Sequence, residues 1–197
     1  MLVTMRGRAA KHGWLVATSA IAVLATSACQ YVAPSDDIYT IGVARIGDQL
    51  HVYAPVCENE RIDVVQVYDN EAASRESNFD PDSNTHTYWK VSGPTDALAE
   101  QGWIAIGDDS AYRTVIVSAG SSGQLPQVVG VTLKVDDPRG ESSVGGAFEV
   151  GKVPEYAAGA DPKTVKYGYR LGSKKQELLG ADEIRNRSKC AREYYRR

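Results

Sequence analysis

Methionine, histidine and cysteine are scarce in this chain of 197 residues. Both methionines, Met1 and Met5, lie at the extreme N-terminus, and only His51 and His86 lie beyond residue 28. Soft metals need thioether, thiolate or imidazole ligands, and neither histidine has a cysteine, aspartate or second histidine at ligand spacing. The scarcity argues against a soft-metal carrier, a zinc site and most histidine-based catalysis, so we expect no metal and no cofactor.

Basic residues are too few for a nucleic-acid partner. The chain has 22 lysines and arginines against 25 acidic residues. Three of the basic residues, Arg6, Arg8 and Lys11, precede residue 29, which leaves 19 basic residues against 25 acidic ones in the remainder. A domain of such negative charge does not suit nucleic acid or an anionic lipid surface.

Only one long apolar run is present, Trp14–Ala28, and it follows the basic stretch Met5–Lys11. At about 15 residues, the run is shorter than the roughly 20 that a transmembrane helix needs. A basic region, an apolar run and small residues at its end are together typical of a secretory signal. We predict that residues 1–28 are a signal peptide.

The apolar run ends in Thr26-Ser27-Ala28-Cys29. This tetrapeptide resembles the lipobox of bacterial lipoproteins, although Thr26 departs from the usual leucine-like residue. The resemblance, to small envelope lipoproteins of the actinobacterial type, implies that Cys29 becomes a diacylglyceryl-modified N-terminus on the outer face of the cytoplasmic membrane. Two acyl chains give stable anchoring, and residues 29–37 would form a short tether. The alternative is an ordinary cleavable signal in which Cys29 is incidental.

Residues 38–170 are expected to form a β domain. Apolar and polar residues alternate over short stretches, as at Leu50–Val56 and Ile62–Tyr68, and turn residues such as Gly47 separate them. Eight or nine such stretches follow one another without an intervening helical pattern. The expected fold is mainly β, an antiparallel sandwich that is immunoglobulin-like or related.

The C-terminal residues 171–197 differ in character, because they are charged and rich in helix formers. Ser173 and Gln176 have the spacing of a capping box, and Gly180 is expected to split the segment in two. We predict a short helical tail that lies against the sheet.

The segment Asp69–Asn84 is polar, and we predict a mobile loop that carries no metal. Its part Asp80–Thr85 has oxygen ligands at alternate positions, as at the start of a calcium loop. Thr85 and Val91, however, stand where such a loop has glycine and glutamate.

The three cysteines suggest one disulfide. If Cys29 is acylated, Cys57 and Cys190 remain as a pair in an oxidising compartment. A bridge between them would close a loop of about 130 residues, worth on the order of 4–5 kcal/mol in the chain-entropy model. Two free thiols are the alternative.

Signals for a binding or catalytic site are weak. Trp89 and Trp103 are candidate ligand-contact aromatics, although an aromatic side chain in a strand more often packs in the core. Gly140–Val144 lacks the closing glycine of a nucleophile elbow. We expect a membrane-anchored, non-enzymatic β domain that contacts an envelope protein or has a structural role. A cell-wall glycan-binding module is the alternative, and a hydrolase with an unrecognised site is the third.

Overall fold

The computed structural model describes residues 41–57, 59–80, 82–121, 123–136, 142–170 and 175–188. Within these ranges the chain is mainly β, with two sheets packed face to face and a short helix near the C-terminal end. This confirms the predicted mainly β, sandwich-like fold with a C-terminal helix. The predicted signal peptide, Cys29 and the tether lie outside the described residues.

Sheet I has six strands, in the order β11-β10-β1-β2-β5, with β9 paired to β1. Its pairs are antiparallel except for β1 with β9, which is parallel. The β1–β2 hairpin turns at Gly47, whose φ of +59° lies in the left-handed region that favours glycine. The strands are β1 Gly42–Ile46, β2 Gln49–Tyr53, β5 Trp103–Ala105, β9 Glu155–Tyr156, β10 Tyr167–Tyr169 and β11 Glu177–Leu179.

Sheet II has five strands in the antiparallel order β6-β4-β3-β7-β8. Among the described strands, β6 therefore forms one edge of this sheet and β8 forms the other. The strands are β3 Arg61–Asp69, β4 Thr87–Pro94, β6 Tyr112–Val117, β7 Val128–Asp136 and β8 Ser142–Glu149.

The main core lies between the two sheets, and we call it the inner cluster. It is built from alternate strand positions, because successive side chains point to opposite faces of a sheet. Most of its members are branched aliphatic residues, and each that is fully buried contributes about 1.5–3 kcal/mol. Fully buried members include Val43 and Val52 from sheet I and Val65, Val67, Val91, Val131 and Leu133 from sheet II.

A second core covers the other face of sheet I, and we call it the outer cluster. It is rich in aromatic residues and includes Tyr53, Tyr167, Tyr169 and Ile184. Ile184 belongs to helix α3, Ala181–Arg187, which packs on this face. The predicted helix near Ser173–Gln176 is wrong in its described part, since residues 177–179 form strand β11. Gly180 divides the segment as predicted, because it separates β11 from α3; it is the N-cap of α3, and its N–H donates to Glu183 Oε2 at 2.8 Å.

The segment Asp69–Asn84 is not a loop throughout, which corrects that part of the prediction. Residues Asn70–Arg75 form helix α1, and the Asp69 carboxylate accepts from Ala72 N–H at 3.0 Å as its cap. Phe79 is buried against Tyr68, with ring centroids 5.6 Å apart. The apolar area of this small cluster offsets the entropy of ordering the segment. One further short helix, α2 Ala97–Glu100, is capped by Asp96.

Candidate functional site

Cys57 is disulfide-bonded. The other two cysteines lie outside the described residues, so the pairing with Cys190 stays a prediction. The position of α3 supports it, because Arg185 Nε donates to the hydroxyl of Tyr53 at 3.2 Å and Tyr53 precedes Cys57 by four residues. The described end of the tail thus lies against β2, next to the turn that contains Cys57.

Trp89 is a core residue. It belongs to β4, has no exposed surface, and meets the Tyr112 ring edge-on with centroids 5.4 Å apart. Its indole N–H donates to Asp109 Oδ1 at 2.7 Å. The predicted role of Trp89 as a ligand contact is therefore wrong, because a fully buried and hydrogen-bonded indole has no surface for a ligand.

Trp103 lies on the opposite side of sheet I, in the outer cluster, and is partly exposed. It stands directly across from Tyr53 in the β2–β5 pair, with ring centroids 4.9 Å apart. Its indole Nε1 is buried and has no hydrogen-bond partner among the described residues. This buried atom cannot reach a ligand, so Trp103 remains a candidate ligand contact only through the exposed part of its ring.

Two cations lie beside Trp103 and Tyr53. The ammonium of Lys163 is 5.5 Å from the Trp103 ring centroid, within the range of a cation–π interaction. Arg185 reaches Tyr53 from α3. Neither cation makes an ion pair with a carboxylate in the described ranges, whereas Arg187 in the same helix pairs with Glu177 at 2.7 Å. We call Trp103, Lys163 and Arg185 the outer-face site.

The segment that carries Lys163 is held by several hydrogen bonds. Tyr167 donates its hydroxyl proton to Pro162 O at 2.5 Å, and Lys163 N–H donates to Asp161 Oδ1 at 2.9 Å. Tyr156 donates to Lys166 O at 2.6 Å. Burial raises the pKa of Tyr167, so this hydroxyl keeps its proton. Lys163 therefore extends from a backbone fixed over the sheet.

In Asp80–Thr85, the segment that resembles the start of a calcium loop, lysine side chains contact the carboxylate and amide oxygens. Lys134 Nζ lies 2.7 Å from Asp82 Oδ1, and Lys90 Nζ donates to Asn84 Oδ1 at 3.2 Å. The hydrogen bond from Lys134 holds the pKa of the Asp82 carboxyl below its usual value. Within the described ranges no three His, Cys, Asp or Glu side chains are placed to hold a metal ion.

The two histidines lie in different settings. His51 lies between Leu50 and Val52 of the inner cluster and is therefore on the outer face of sheet I, where it is half-buried. Burial lowers the pKa of its imidazole. His86 lies 2.7 Å from Glu76 Oε1 and takes a positive φ of 61°.

An open groove of about 520 Å³ lies at the end of sheet II, lined by Glu71, Leu125–Val128 and Glu149–Gly151. Its two carboxylates both have cations beside them. Arg75 is 3.4 Å from Glu71 and Lys152 is 2.6 Å from Glu149. Both carboxylates are exposed and paired with a neighbouring cation of their own segment, so the groove gives no support to a hydrolase.

Strand β6 is exposed on both sides. Val115 and Ile116 are 42% and 45% exposed, although neighbouring strand residues point to opposite faces. Thr95 N–H donates to Ala111 O, and hydrogen-bonded pairs alternate along an antiparallel ladder. The N–H and C=O of Thr114 consequently point away from β4, toward the open edge.

Sequence reasoning found Trp103 but missed Lys163 and Arg185. They lie 60 and 82 positions further along the chain, and no local motif marks either of them. Their proximity to Trp103 and Tyr53 arises only from the pairing of β2 with β5 and the packing of α3.

None of the described helices is long and apolar enough to span a membrane. No protein family model matches the chain, and no curated protein and no solved structure is detectably similar to it.

Proposed function

We propose that the protein is an exported lipoprotein, anchored through Cys29, whose β-sandwich binds another envelope protein without catalysing a reaction. The observation that carries the protein contact is the open edge of β6. Its exposed Val115 and Ile116 and the outward backbone of Thr114 are the features that an added strand uses. The partner is an extended segment with branched aliphatic side chains.

The other sheet edges are less suited to this contact. Strands β5 and β11 have three residues each, and β8 carries Gly145 and Gly146, which offer no side chain. The register of β6 with β4 shifts between Lys90 and Val91, and such irregularities shorten a usable edge. The contact is therefore expected to centre on Arg113–Val115 and to be weak in isolation.

The anchor is tested by metabolic labelling with a palmitate analogue. We expect the wild-type protein to be labelled and to sediment with membranes, and Cys29→Ala to lose both properties, because the thiol is the acceptor. Equal labelling of the two proteins would exclude lipidation at Cys29.

The contact is tested with a photo-crosslinking amino acid in place of Ile116 in the anchored, full chain. We expect a discrete adduct that Thr114→Pro abolishes, because proline lacks the N–H that faces the open edge. Thr114→Val, which keeps the N–H and the branched side chain, should retain the adduct. Absence of an adduct, or an adduct indifferent to Thr114→Pro, would refute strand addition at β6.

Glycan binding is a second candidate. The partly exposed ring of Trp103 favours it, since an indole offers an apolar face to a sugar ring. This candidate concerns a different strand and is independent of the β6 contact.

A further inference from the structure

We propose that strand β6 pairs with β6 of a second copy of this chain, so that two anchored molecules share one continuous sheet. The inference rests on the proposed strand addition at β6 and names the partner. Its basis is the combination of two adjacent exposed branched side chains, an outward-facing backbone at Thr114, and a ladder irregularity that restricts where pairing can occur.

Strand β6 has the properties that its own partner requires. The partner is an extended segment with branched aliphatic side chains, and β6 itself presents Val115 and Ile116 in that form. In the described ranges the remaining large apolar side chain of comparable exposure is Leu178, on the three-residue strand β11. A symmetric contact covers two open edges at once, whereas a foreign segment would cover one. A second copy therefore fits this edge better than an unrelated segment.

The backbone and the charges select one register for the pair. Because the N–H and C=O of Thr114 face the open edge, Thr114 of each copy can donate to and accept from Thr114 of the other, across a twofold axis. A register centred on Arg113 would place two like charges directly opposite each other, which is destabilising. A register centred on Val115 would need a regular backbone at Ile116, which the ladder with β4 skips.

The Thr114 register gives the exposed side chains suitable neighbours. Arg113 of one copy lies opposite Val115 of the other, and the aliphatic stem of an arginine can cover a valine while its charge stays in water. The two Arg113 residues are only diagonal neighbours, about 7–8 Å apart, at a position that is exposed in the single chain. Their guanidinium groups can therefore turn away from each other into solvent.

The contact is small, and anchoring compensates for its size. A stable protein interface uses about 20–30 residues a side, whereas β6 has six. Confinement of all copies to one membrane raises their effective concentration without any new contact. The pair is therefore expected among anchored chains, which is where it is tested.

The test is disulfide trapping in the exported, full chain, because that compartment is oxidising. In the Thr114 register the two Thr114 Cα atoms lie about 5.5 Å apart, which a disulfide can bridge. The diagonal pairs at Arg113 and at Val115 are about 7–8 Å apart, which is beyond its reach. We expect Thr114→Cys to give about tenfold more covalent dimer on a non-reducing gel than the matched controls Arg113→Cys and Val115→Cys. The wild-type chain should give none.

Equal trapping at the three positions, trapping only at Arg113 or Val115, or no dimer from Thr114→Cys would each overturn the proposal. The photo-crosslinking amino acid at Ile116 separates this inference from the strand addition on which it rests. An adduct of two copies of the chain supports the second copy as partner. An adduct with a different protein that Thr114→Pro abolishes would overturn the second copy and leave strand addition at β6 intact.

Discussion

The two faces of sheet I are built from different side chains. The inner face presents branched aliphatic residues such as Val43, Val52 and Ile104 to a second sheet. The outer face presents Tyr53 and Tyr167, and its cover is a seven-residue helix with the loop before β10. A thin cover buries little area, so large rings must provide much of the burial themselves.

The two tryptophans illustrate the contrast. The N–H of Trp89 is satisfied by Asp109 inside the protein, and the residue serves packing alone. The N–H of Trp103 has no partner in the described chain, and the ring keeps some exposure. A buried donor without a partner costs about 1–3 kcal/mol, so the two indoles contribute differently to stability.

The largest expected effect concerns the predicted disulfide between Cys57 and Cys190, which would link the C-terminal tail to sheet I. Cys190→Ser should lower the free energy of unfolding by about 4–5 kcal/mol if Cys190 is the partner of Cys57, because a long loop is released. Hydrogen exchange should then show faster exchange in α3 than in β3 and β7. Arg187→Gln, which removes only an exposed ion pair, is the control. Unchanged stability and protection would exclude the bridge.

The next effect separates the two tryptophans directly. Trp89→Ala should cost about 3–5 kcal/mol, since it removes a fully buried side chain and leaves Asp109 unpaired. Trp103→Ala should cost only about 1–2 kcal/mol, because part of the ring is already in water. Urea unfolding of both variants measures the difference. Equal losses would contradict the contrast between the two faces.

The fit of α3 on the outer face is tested at Gly42. A Cβ there would lie 2.6 Å from Ile184 Cδ1 and 2.7 Å from Tyr167 Cβ. Gly42→Ala should therefore destabilise the protein by about 1–3 kcal/mol through overpacking, as measured by the shift in urea midpoint. Gly151→Ala, where the added methyl meets nothing within 4 Å, is the matched control. A neutral Gly42→Ala would mean that α3 is not packed as described.

The smallest expected effect is the pH response of the outer face. Burial lowers the pKa of His51 below 6.5, so below that pH the unfolded state binds a proton that the folded state does not. Stability should fall as pH drops through this window. His51→Asn should flatten the dependence of the melting temperature between pH 7.5 and 5.5. An unchanged slope would assign the acid sensitivity to other groups.

The local sequence pattern was sufficient to predict most of the strands. Alternating residues predicted the stretches that became β2 and β3, and Gly47 predicted the turn between β1 and β2, because side-chain alternation and turn chemistry act between near neighbours. The signal peptide and Cys29 are predictions of the same local kind, and they rest on the order of residues 1–29 alone.

Elements held by distant partners were missed. Strand β9 has two residues and exists because β1 pairs with it. Residues 177–179 were expected to be helical, yet they pair with β10 as β11. Helix α1 was taken for a loop, because the burial of Phe79 on Tyr68 is a tertiary contact.

The composition of the outer-face site was decided by the tertiary structure. The sequence determined that the domain is β-rich, negative and poor in metal ligands, since these follow from residue counts and short-range alternation. It could not distinguish Trp89 from Trp103, because both lie in apolar strand patterns. Which indole is buried, and which lies near Lys163 and Arg185, depends on strand register and helix packing over 60 positions or more. Such long-range contacts leave no trace in local spacing.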